Sequence, residues 1–263
     1  MSNFQPIGIF DSGIGGTSIW REVTSILPHE NTIYLADSKN APYGEKPANT
    51  IVEFSIKNTE YLLQQGCKLI IVACNTATTN TIELLRKKYD VPFIGIEPAI
   101  KPAALKTLTK SIGILATKGT LSSSLFSKTS IEFTSNINVI EKEGKGIVKL
   151  IESGKIHSDE MTQLLHQYLY PMLEENIDHL VLGCTHYSYL IPQIQKIIGT
   201  KVTIIDSGLA VAKQTNTILE KHKLKNSPLN NKSHQFLTNV NPIVLRNILS
   251  DVTLRYSIAE TGF

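Results

Sequence analysis

The sequence predicts an α/β protein with two similar lobes, each built on a mainly parallel sheet. Short runs rich in β-branched residues alternate with longer amphipathic segments, which is typical of parallel strands joined by helical crossovers. The alternation restarts near residue 111, so the second half repeats the order of the first. Polar and reactive residues follow strands in both halves, as expected where parallel sheets bind ligands.

The first half contains four predicted strands and three predicted helices. The strands are expected at 6–10, 32–36, 68–73 and 92–96, and the helices near 15–27, 50–65 and 76–89. Thr50 and Glu53 have the spacing of a capping box, which predicts the start of the middle helix. Gly66 is well placed to end that helix.

The second half repeats two motifs of the first. "SIGILAT" (111–117) resembles "PIGIFDS" (6–12) and places Ser12 opposite Thr117, while "HLVLGCTHYS" (179–188) resembles "LIIVACNTAT" (69–78) and places Cys74 opposite Cys184. Further helices are expected near 145–154, 159–175 and 209–222, with a strand at 201–206 and a strand–helix–strand tail. We therefore predict a first lobe of 1–98 plus 208–263 and a second lobe of 99–207.

Composition narrows the class of protein. Hydrophobic residues make up 41% and charged residues 19% of the 263 residues, an ordinary globular balance. The net charge of +3 is spread out, so no nucleic-acid partner is expected. Apolar runs are too short for a membrane span, no signal sequence is recognisable, and three distant cysteines do not suggest disulfides. A cytoplasmic protein is expected.

The two cysteines at matching strand ends are the strongest candidates for chemistry. Cys74 and Cys184 each end an apolar strand and precede a segment able to start a helix, where free N–H groups favour a thiolate. One such cysteine alone would be read as core, as we read Cys67. Two suit racemisation of an amino acid, because the α-proton must leave one face while another arrives on the opposite face. Asp11, Glu152 and His186 are candidates for maintaining or relaying these protons.

Six stretches in order resemble one known family. They are "IGIFDSGIGG" (7–16), "YLADSKNAPYG" (34–44), "ACNTAT" (73–78), "GIEPAIKPA" (95–103), "LIESG" (150–154) and "GCTHY" (183–187). On these motifs the chain resembles the glutamate racemases of the aspartate/glutamate racemase family. Ser188 departs from the proline usual after "CTHY".

The resemblance implies a fold and a mechanism. It implies two facing, pseudo-twofold-related lobes with the active site in the cleft between them, and interconversion of L- and D-glutamate without metal, pyridoxal or flavin. Cys74 would deprotonate D-glutamate, assisted by Asp11, and Cys184 would deprotonate L-glutamate, assisted by His186 and Glu152.

The resemblance also implies a set of substrate contacts and a partner. The contacts would be Ser12, Pro42, Tyr43, Gly44, Asn75, Thr76, Thr117, Thr120 and Thr185. The product would feed peptidoglycan synthesis, and a homodimer is expected.

Simpler structural roles remain open for several of these residues. Asp11 could only cap the following helix, and His186 could be a satisfied, half-buried histidine. Glu152 could lie on an exposed helix end. Asp37 could contact the site or cap a turn, and Tyr43–Gly44 could be only a turn after Pro42.

Three other functions remain open. "DSGIGG" followed by Asp37 is a weak dinucleotide-binding signal, because Ser18 replaces the third glycine. A cysteine hydrolase could use Cys184 with His186, although residues two apart are not expected to form the required hydrogen bond. A related two-base isomerase could act on aspartate, a hydantoin or maleate. The cysteine and histidine spacings do not predict a zinc site.

Overall fold

A computed structural model describes residues 4–227 and 232–263, so the predicted lobe ranges include residues 1–3 and 228–231 that lie outside it. Its strands are β1 (Ile7–Asp11), β2 (Thr32–Ala36), β3 (Leu69–Val72), β4 (Phe93–Gly95), β5 (Ser111–Ala116), β6 (Asn138–Glu143), β7 (His179–Gly183), β8 (Thr203–Ile205), β9 (His234–Thr238) and β10 (Tyr256–Glu260). Its helices are α1 (Thr17–Ile26), α2 (Ala48–Gln64), α3 (Asn75–Lys88), α4 (Ile100–Lys106), α5 (Lys118–Leu121), α6 (Ser124–Phe133), α7 (Ile147–Glu152), α8 (Asp159–Glu174), α9 (Ile191–Ile198), α10 (Gly208–Lys221) and α11 (Ile243–Ile248).

The strands form two sheets with the same internal order. The first runs β10-β9-β2-β1-β3-β4 and the second β6-β5-β7-β8, and every pairing among the described strands is parallel. The order β2-β1-β3-β4 therefore recurs as β6-β5-β7-β8, and the predicted α/β class with two mainly parallel sheets is confirmed. The last two strands, β9 and β10, extend the first sheet beyond β2.

Local signals predicted one end of α2 and missed the other. The capping box at Thr50 and Glu53 is wrong, because α2 begins at Ala48, directly after Pro47, with no side-chain cap. The other end is as predicted: Gly66 has φ of 75°, its N–H donates to the Leu63 carbonyl, and the next N–H donates to Leu62. This is the Schellman arrangement that glycine favours.

The elements between β5 and α7 were not predicted in detail. The sequence of β6, "NVIEKE", is half-exposed at the sheet edge and has little apolar alternation. The short helices α5 and α6 begin at the side-chain caps Thr117 and Ser123, whose hydroxyls accept backbone N–H groups. Periodicity is a weak signal in such short, partly exposed elements.

One hydrophobic core joins the two sheets. Ile19 of α1 belongs to the same buried cluster as Leu115 of β5, Ile151 of α7 and Tyr187. The carboxyl ends of β1, β3, β5 and β7 lead to the residues of a single cavity. No helix in the described ranges is long and apolar enough to cross a bilayer.

Candidate active site

A small cavity lies where the carboxyl ends of the two sheets approach each other. Both Cys74 and Cys184 line it, together with His186. Eight of the nine predicted substrate contacts also line it: Ser12, Pro42, Tyr43, Gly44, Asn75, Thr76, Thr117 and Thr185. Val148, which the sequence did not single out, completes the lining. Two lobes therefore contribute one thiol each to the same space.

Cys74 is the residue immediately before α3. The Ala77 N–H donates to its sulfur at 3.4 Å, and its thiol donates to Ser12 Oγ at 3.6 Å. Burial raises the pKa of the Cys74 thiol well above its usual value, and the nearby Asp11 adds to the rise. The helix N-terminus was expected to favour a thiolate here, but burial outweighs one N–H donor and favours the thiol.

Cys184 is paired with a histidine two residues later. Its sulfur lies 3.8 Å from His186 Nδ1, and His186 Nε2 lies 2.6 Å from Glu152 Oε1. The expectation that residues two apart would not form this hydrogen bond is wrong. A 3-10 turn over Thr185–Leu190 follows β7 and directs the imidazole back towards the sulfur.

His186 and Glu152 form a charged pair. Burial lowers the pKa of His186, but the hydrogen bonds with Cys184 and Glu152 outweigh burial and raise that pKa well above its usual value. Burial by itself would raise the pKa of Glu152. The hydrogen bonds from His186, Ile14 and Ser38 stabilise the carboxylate more strongly, so the pKa of Glu152 is lowered overall. These shifts favour an imidazolium and a carboxylate behind Cys184.

The Glu152 carboxylate is enclosed at the junction of the lobes. Its side chain is only 14% exposed, so the alternative of an exposed helix end is wrong. Oε1 accepts the Ile14 N–H at 2.7 Å, and Oε2 accepts the Ser38 hydroxyl at 2.8 Å. Glu152 reaches Cys184 only through His186 and does not line the cavity.

Asp11 is fully buried beneath the glycine loop that follows β1. Its Oδ2 accepts the N–H groups of Gly13 and Gly16 at 3.2 and 3.1 Å, and its Oδ1 accepts the Thr185 hydroxyl at 3.3 Å. Burial raises the pKa of Asp11 to about 6, although His186 and the loop N–H groups oppose the rise. Asp11 therefore orders this loop and also contacts the second lobe, so capping is not its only role.

The glycine loop over 13–16 is packed against the catalytic candidates. The Ile14 N–H is bound by Glu152, the Gly15 N–H faces His186 Nε2 at 3.3 Å, and Asp11 takes the other two. A Cβ at Gly13 would lie 1.9 Å from Glu152 Oε1, and one at Gly15 would lie 2.3 Å from His186 Nδ1. All four N–H groups face protein side chains, which leaves none to bind a pyrophosphate, as a dinucleotide site requires.

Asn75 is the clearest sign of a missing ligand. Its side chain is 2% exposed and lines the cavity, yet neither its amide oxygen nor its amide nitrogen has a hydrogen-bond partner. Buried polar groups are rarely left unpaired, because desolvation is costly. One donor and one acceptor facing the same cavity suit a ligand that has both an anionic and a cationic group.

Three threonine hydroxyls join the lobes beside Asn75. Thr76 Oγ1 lies 2.7 Å from Thr117 Oγ1 and 3.3 Å from Thr120 Oγ1, and the last two are 3.1 Å apart. Thr76 and Thr117 line the cavity, whereas Thr120 lies behind them and is absent from the lining. Hydroxyls can rotate to donate to a carboxylate without adding a permanent charge.

Asp37 supports the wall of the cavity and does not line it. It accepts the Tyr43 hydroxyl, and it also accepts the amides of Asn40 at 2.8 Å and Asn239 at 2.5 Å. Asn58 donates to the Tyr43 hydroxyl at 3.0 Å. Tyr43 is thereby fixed in the wall and is more than a turn residue.

Cys67 and Ser188 lie outside the cavity lining. Cys67 packs against Gly8 and Leu62, and burial raises its pKa to about 12, in keeping with a structural role. Ser188, where the resemblance led us to expect proline, donates to Asp206 at 3.2 Å. Within 4–227 and 232–263, no three His, Cys, Asp or Glu side chains are grouped to hold a metal ion.

The matching sheets and the paired thiols agree with the comparison with known proteins. The model of the family described as Asp/Glu/Hydantoin racemase matches residues 17–215. The chain belongs to this family. Glutamate racemase of Cupriavidus pinatubonensis is 42% identical over 98% of this chain and 95% of its own, and that of Herpetosiphon aurantiacus is 40% identical over 90% and 94%.

Solved structures of racemases share the fold. A glutamate racemase isoform of Bacillus anthracis has a TM-score of 0.87 at 30% identity, with 100% of this chain and 99% of that chain covered. Glutamate racemase of Francisella tularensis, solved with D-glutamate, has a TM-score of 0.83 at 30% identity and covers 98% of both chains. The racemase fold therefore extends over the whole described chain.

The sequence did not point to Val148, which lines the cavity, or to Ser38, which lies behind it. Val148 is an ordinary apolar residue of an amphipathic helix, so nothing local marks it. Ser38 lies in the motif "YLADSKNAPYG", in which the neighbouring Asp37 was the candidate for a role at the site. Its contact with Glu152 spans 114 positions and has no local signal.

Proposed function

We propose that this chain interconverts L- and D-glutamate by two-base proton transfer between Cys184, Cys74 and the α-carbon, without a cofactor. The curated relatives named above are glutamate racemases, and the Francisella relative was solved with D-glutamate. The observation that carries the proposal is the pair of cysteines, one from each lobe, lining one cavity.

The proton transfers balance between the two sulfurs. Cys184 as thiolate takes the α-proton of L-glutamate, and Cys74 as thiol gives its proton to the opposite face of the α-carbon. D-glutamate leaves with Cys184 as thiol and Cys74 as thiolate, and the reverse reaction uses the same groups in opposite roles. No redox change and no covalent intermediate are needed.

The electrostatics of the cavity suit a resting enzyme that deprotonates L-glutamate. The His186 imidazolium beside Cys184 stabilises negative charge on that sulfur, whereas burial and Asp11 keep Cys74 protonated. Asp11 assists on the Cys74 side: its pKa of about 6 lets it hold or release a proton near neutral pH. Glu152 keeps His186 charged on the other side.

Binding of glutamate would satisfy the unpaired groups of the cavity. The Asn75 amide and the hydroxyls of Thr76, Thr117, Thr185 and Ser12 are neutral partners for carboxylate and ammonium groups. Among the described residues, no lysine or arginine lines the cavity. Neutral donors hold the substrate while leaving its ground state without a permanent counter-charge.

We further infer the cellular setting. D-glutamate made in the cytoplasm would be supplied to peptidoglycan synthesis, and cells depleted of this protein should regain growth when D-glutamate is added. Light scattering should give the mass of two chains if the expected homodimer is correct. The lobe boundaries at 98/99 and 207/208 likewise stay a prediction.

The test follows the α-proton. Purified protein without added cofactor is incubated with L-glutamate in deuterium oxide, beside tubes with L-aspartate and with the Cys74→Ser and Cys184→Ser variants. D-glutamate carrying α-deuterium, lost in both variants, is expected. α-Deuterium exchange with aspartate but not with glutamate would keep the two-base mechanism and make aspartate the substrate.

A cysteine hydrolase is the second candidate, because Cys184, His186 and Glu152 form a hydrogen-bonded series. That chemistry does not need Cys74. A hydrolytic activity that survives Cys74→Ser, with no α-exchange in the unmodified protein, would favour the hydrolase over the racemase.

A further inference from the structure

Glu152 belongs to the second sheet's helices but is held largely by the first. Of its three hydrogen-bond partners, only His186 follows a strand of the second sheet. The Ile14 N–H and the Ser38 hydroxyl come from loops that follow β1 and β2. Ile14 and His186 share Oε1, so Ser38 is the one donor to Oε2 among the described residues.

Ser38 is itself held firmly in place. It begins a 3-10 turn, Ser38–Asn40, directly after Asp37. Asp37 is buried and accepts three hydrogen bonds, from Asn40 and Tyr43 in the segment that follows it and from the distant Asn239. The half-buried Ser38 hydroxyl is thus presented to Glu152 by a rigid support, and this gives Asp37 a role although it does not line the cavity.

We propose that Ser38 is a positioning residue for proton transfer at Cys184: its hydroxyl fixes the Glu152 carboxylate against His186 and so couples the charge of His186 to contact between the two lobes. The inference rests on the proposed function for its kinetic part, but the coupling itself concerns only residues of this chain.

The coupling follows from the order of contacts. Ser38 and Ile14 donate to Glu152 only when the lobes are together, and both favour its ionised form. An ionised Glu152 favours the imidazolium of His186, whose Nδ1 lies 3.8 Å from the Cys184 sulfur. If the lobes separated, Glu152 would lose both donors and its hold on the His186 charge would weaken.

Other titratable groups facing Glu152 do not replace Ser38. Asp11 and Tyr34 interact with it through charge, and both are buried. Asp11, when ionised, opposes the Glu152 charge, and the Tyr34 hydroxyl donates to the Gly13 carbonyl at 2.8 Å. Lys149 on the same helix is directed outward to Glu45 at 2.7 Å.

The experiment compares Ser38→Ala with two matched variants of the full chain. Ser38→Thr keeps the hydroxyl. Ser153→Ala removes a hydroxyl next to Glu152 that donates to the Leu150 carbonyl and does not contact the carboxylate. Folding of all three is checked by circular dichroism and thermal unfolding.

The first readout is independent of turnover. Nuclear magnetic resonance of the ¹⁵N-labelled histidine rings, without substrate, gives the pKa of His186. We expect that pKa to fall in Ser38→Ala and to stay at the wild-type value in Ser38→Thr and Ser153→Ala. An unchanged His186 pKa in Ser38→Ala overturns the coupling.

The second readout is kinetic. Ser38→Ala should lower kcat about 10-fold to 100-fold with little change in KM, as expected for the loss of one hydrogen bond to a charged group. The primary isotope effect should grow more for α-deuterated L-glutamate than for α-deuterated D-glutamate, because Cys184 accepts the proton only from the L-isomer.

The two readouts separate the hypotheses. Equal isotope effects for the two isomers, with kcat lowered, would indicate a merely structural role for Ser38 and overturn the positioning proposal. A fall in the His186 pKa without any glutamate turnover in the unmodified protein would refute the proposed function and keep the coupling.

Discussion

The charge of Asp11 is decided by burial against hydrogen bonding. Two loop N–H groups and the Thr185 hydroxyl stabilise the carboxylate, yet full burial raises its pKa to about 6. A raised folded-state pKa means that the folded protein holds the proton more tightly than the unfolded chain. The free energy of unfolding therefore falls as pH rises from 3.8, the ordinary pKa of an aspartate, to about 6, and it is not regained above pH 6.

Asp11→Asn should remove this pH dependence. Between pH 5 and pH 7 the free energy of unfolding of the wild type should fall by about 1 kcal/mol relative to the variant, because one pKa unit corresponds to ~1.4 kcal/mol. Urea unfolding of both proteins at the two pH values measures the difference. Parallel pH dependence in the two proteins would show that Asp11 is not protonated in the folded state.

Asn75 is expected to lower the stability of the free protein and to be needed for substrate binding. Both polar atoms of its side chain are buried and unpaired, so Asn75→Leu, which is similar in size, should raise the free energy of unfolding by about 1–2 kcal/mol. The same change should abolish measurable glutamate turnover. Thermal unfolding and calorimetric titration with glutamate check both effects. Destabilisation together with retained binding would mean that Asn75 does not face the substrate.

At the scale of elements, the glycine loop lets two lobes approach within bonding distance. Helix α1 begins at Thr17, right after this loop, and the 3-10 turn that carries His186 lies against it. Glycine is required at Gly13 and Gly15 for space, because any side chain would meet Glu152 or His186. The motif is therefore a packing device, although its sequence resembles a phosphate-binding loop.

Gly15→Ala should abolish activity by displacing His186. The added Cβ would lie 2.3 Å from His186 Nδ1, so the imidazole must move away from Cys184. We expect kcat to fall at least about 100-fold, since small displacements of catalytic groups are costly. Steady-state racemisation assays measure the loss, with Gly262→Ala as the control because nothing lies within 4 Å of its Cβ position. Normal activity of Gly15→Ala would refute the role of the loop.

At the scale of the molecule, a buried ion pair between Lys68 and Glu30 binds the residues that follow α10 to the first sheet. Lys68, just before β3, is fully buried and its Nζ contacts Glu30 Oε2 at 2.6 Å, the Leu224 carbonyl at 2.6 Å and Asn226 Oδ1 at 2.8 Å. Glu30 also accepts the Asn226 N–H at 2.8 Å. These bonds hold Leu224 and Asn226, which follow α10, at the amino end of β3, opposite the cavity end of the sheet.

Lys68→Met should destabilise the whole protein. It leaves Glu30 buried without its counter-charge, which costs about 3–5 kcal/mol. The double variant Lys68→Met with Glu30→Gln should recover part of the loss. Lys88→Met, which breaks an exposed pair with Glu60, should leave the stability nearly unchanged, because solvent screens exposed charges. Urea unfolding measures all three; a small effect of Lys68→Met alone would contradict the importance of the pair.

Most elements and most cavity residues were predictable, and the exceptions have a common cause. The strands β1 to β4 follow from apolar runs bounded by turn residues, and the cysteines follow from their place at strand ends. The start of α2 was predicted wrongly because Thr50 and Glu53 have the spacing of a capping box, whereas the helix begins at Ala48 without a side-chain cap. Strand β6 was missed because it lies at an exposed edge with a polar sequence.

The sequence by itself determined the alternation of strands and helices, the repeat of the lobes, the family and the positions of the two cysteines. These depend on periodicity and on short motifs, which residues close in the chain encode. Only the tertiary structure decided which groups are charged, that Asn75 is unpaired, and that Ser38 and Ile14 hold Glu152. The physical reason is that desolvation and hydrogen bonding depend on neighbours brought together from distant positions, and no local pattern records which neighbours those are.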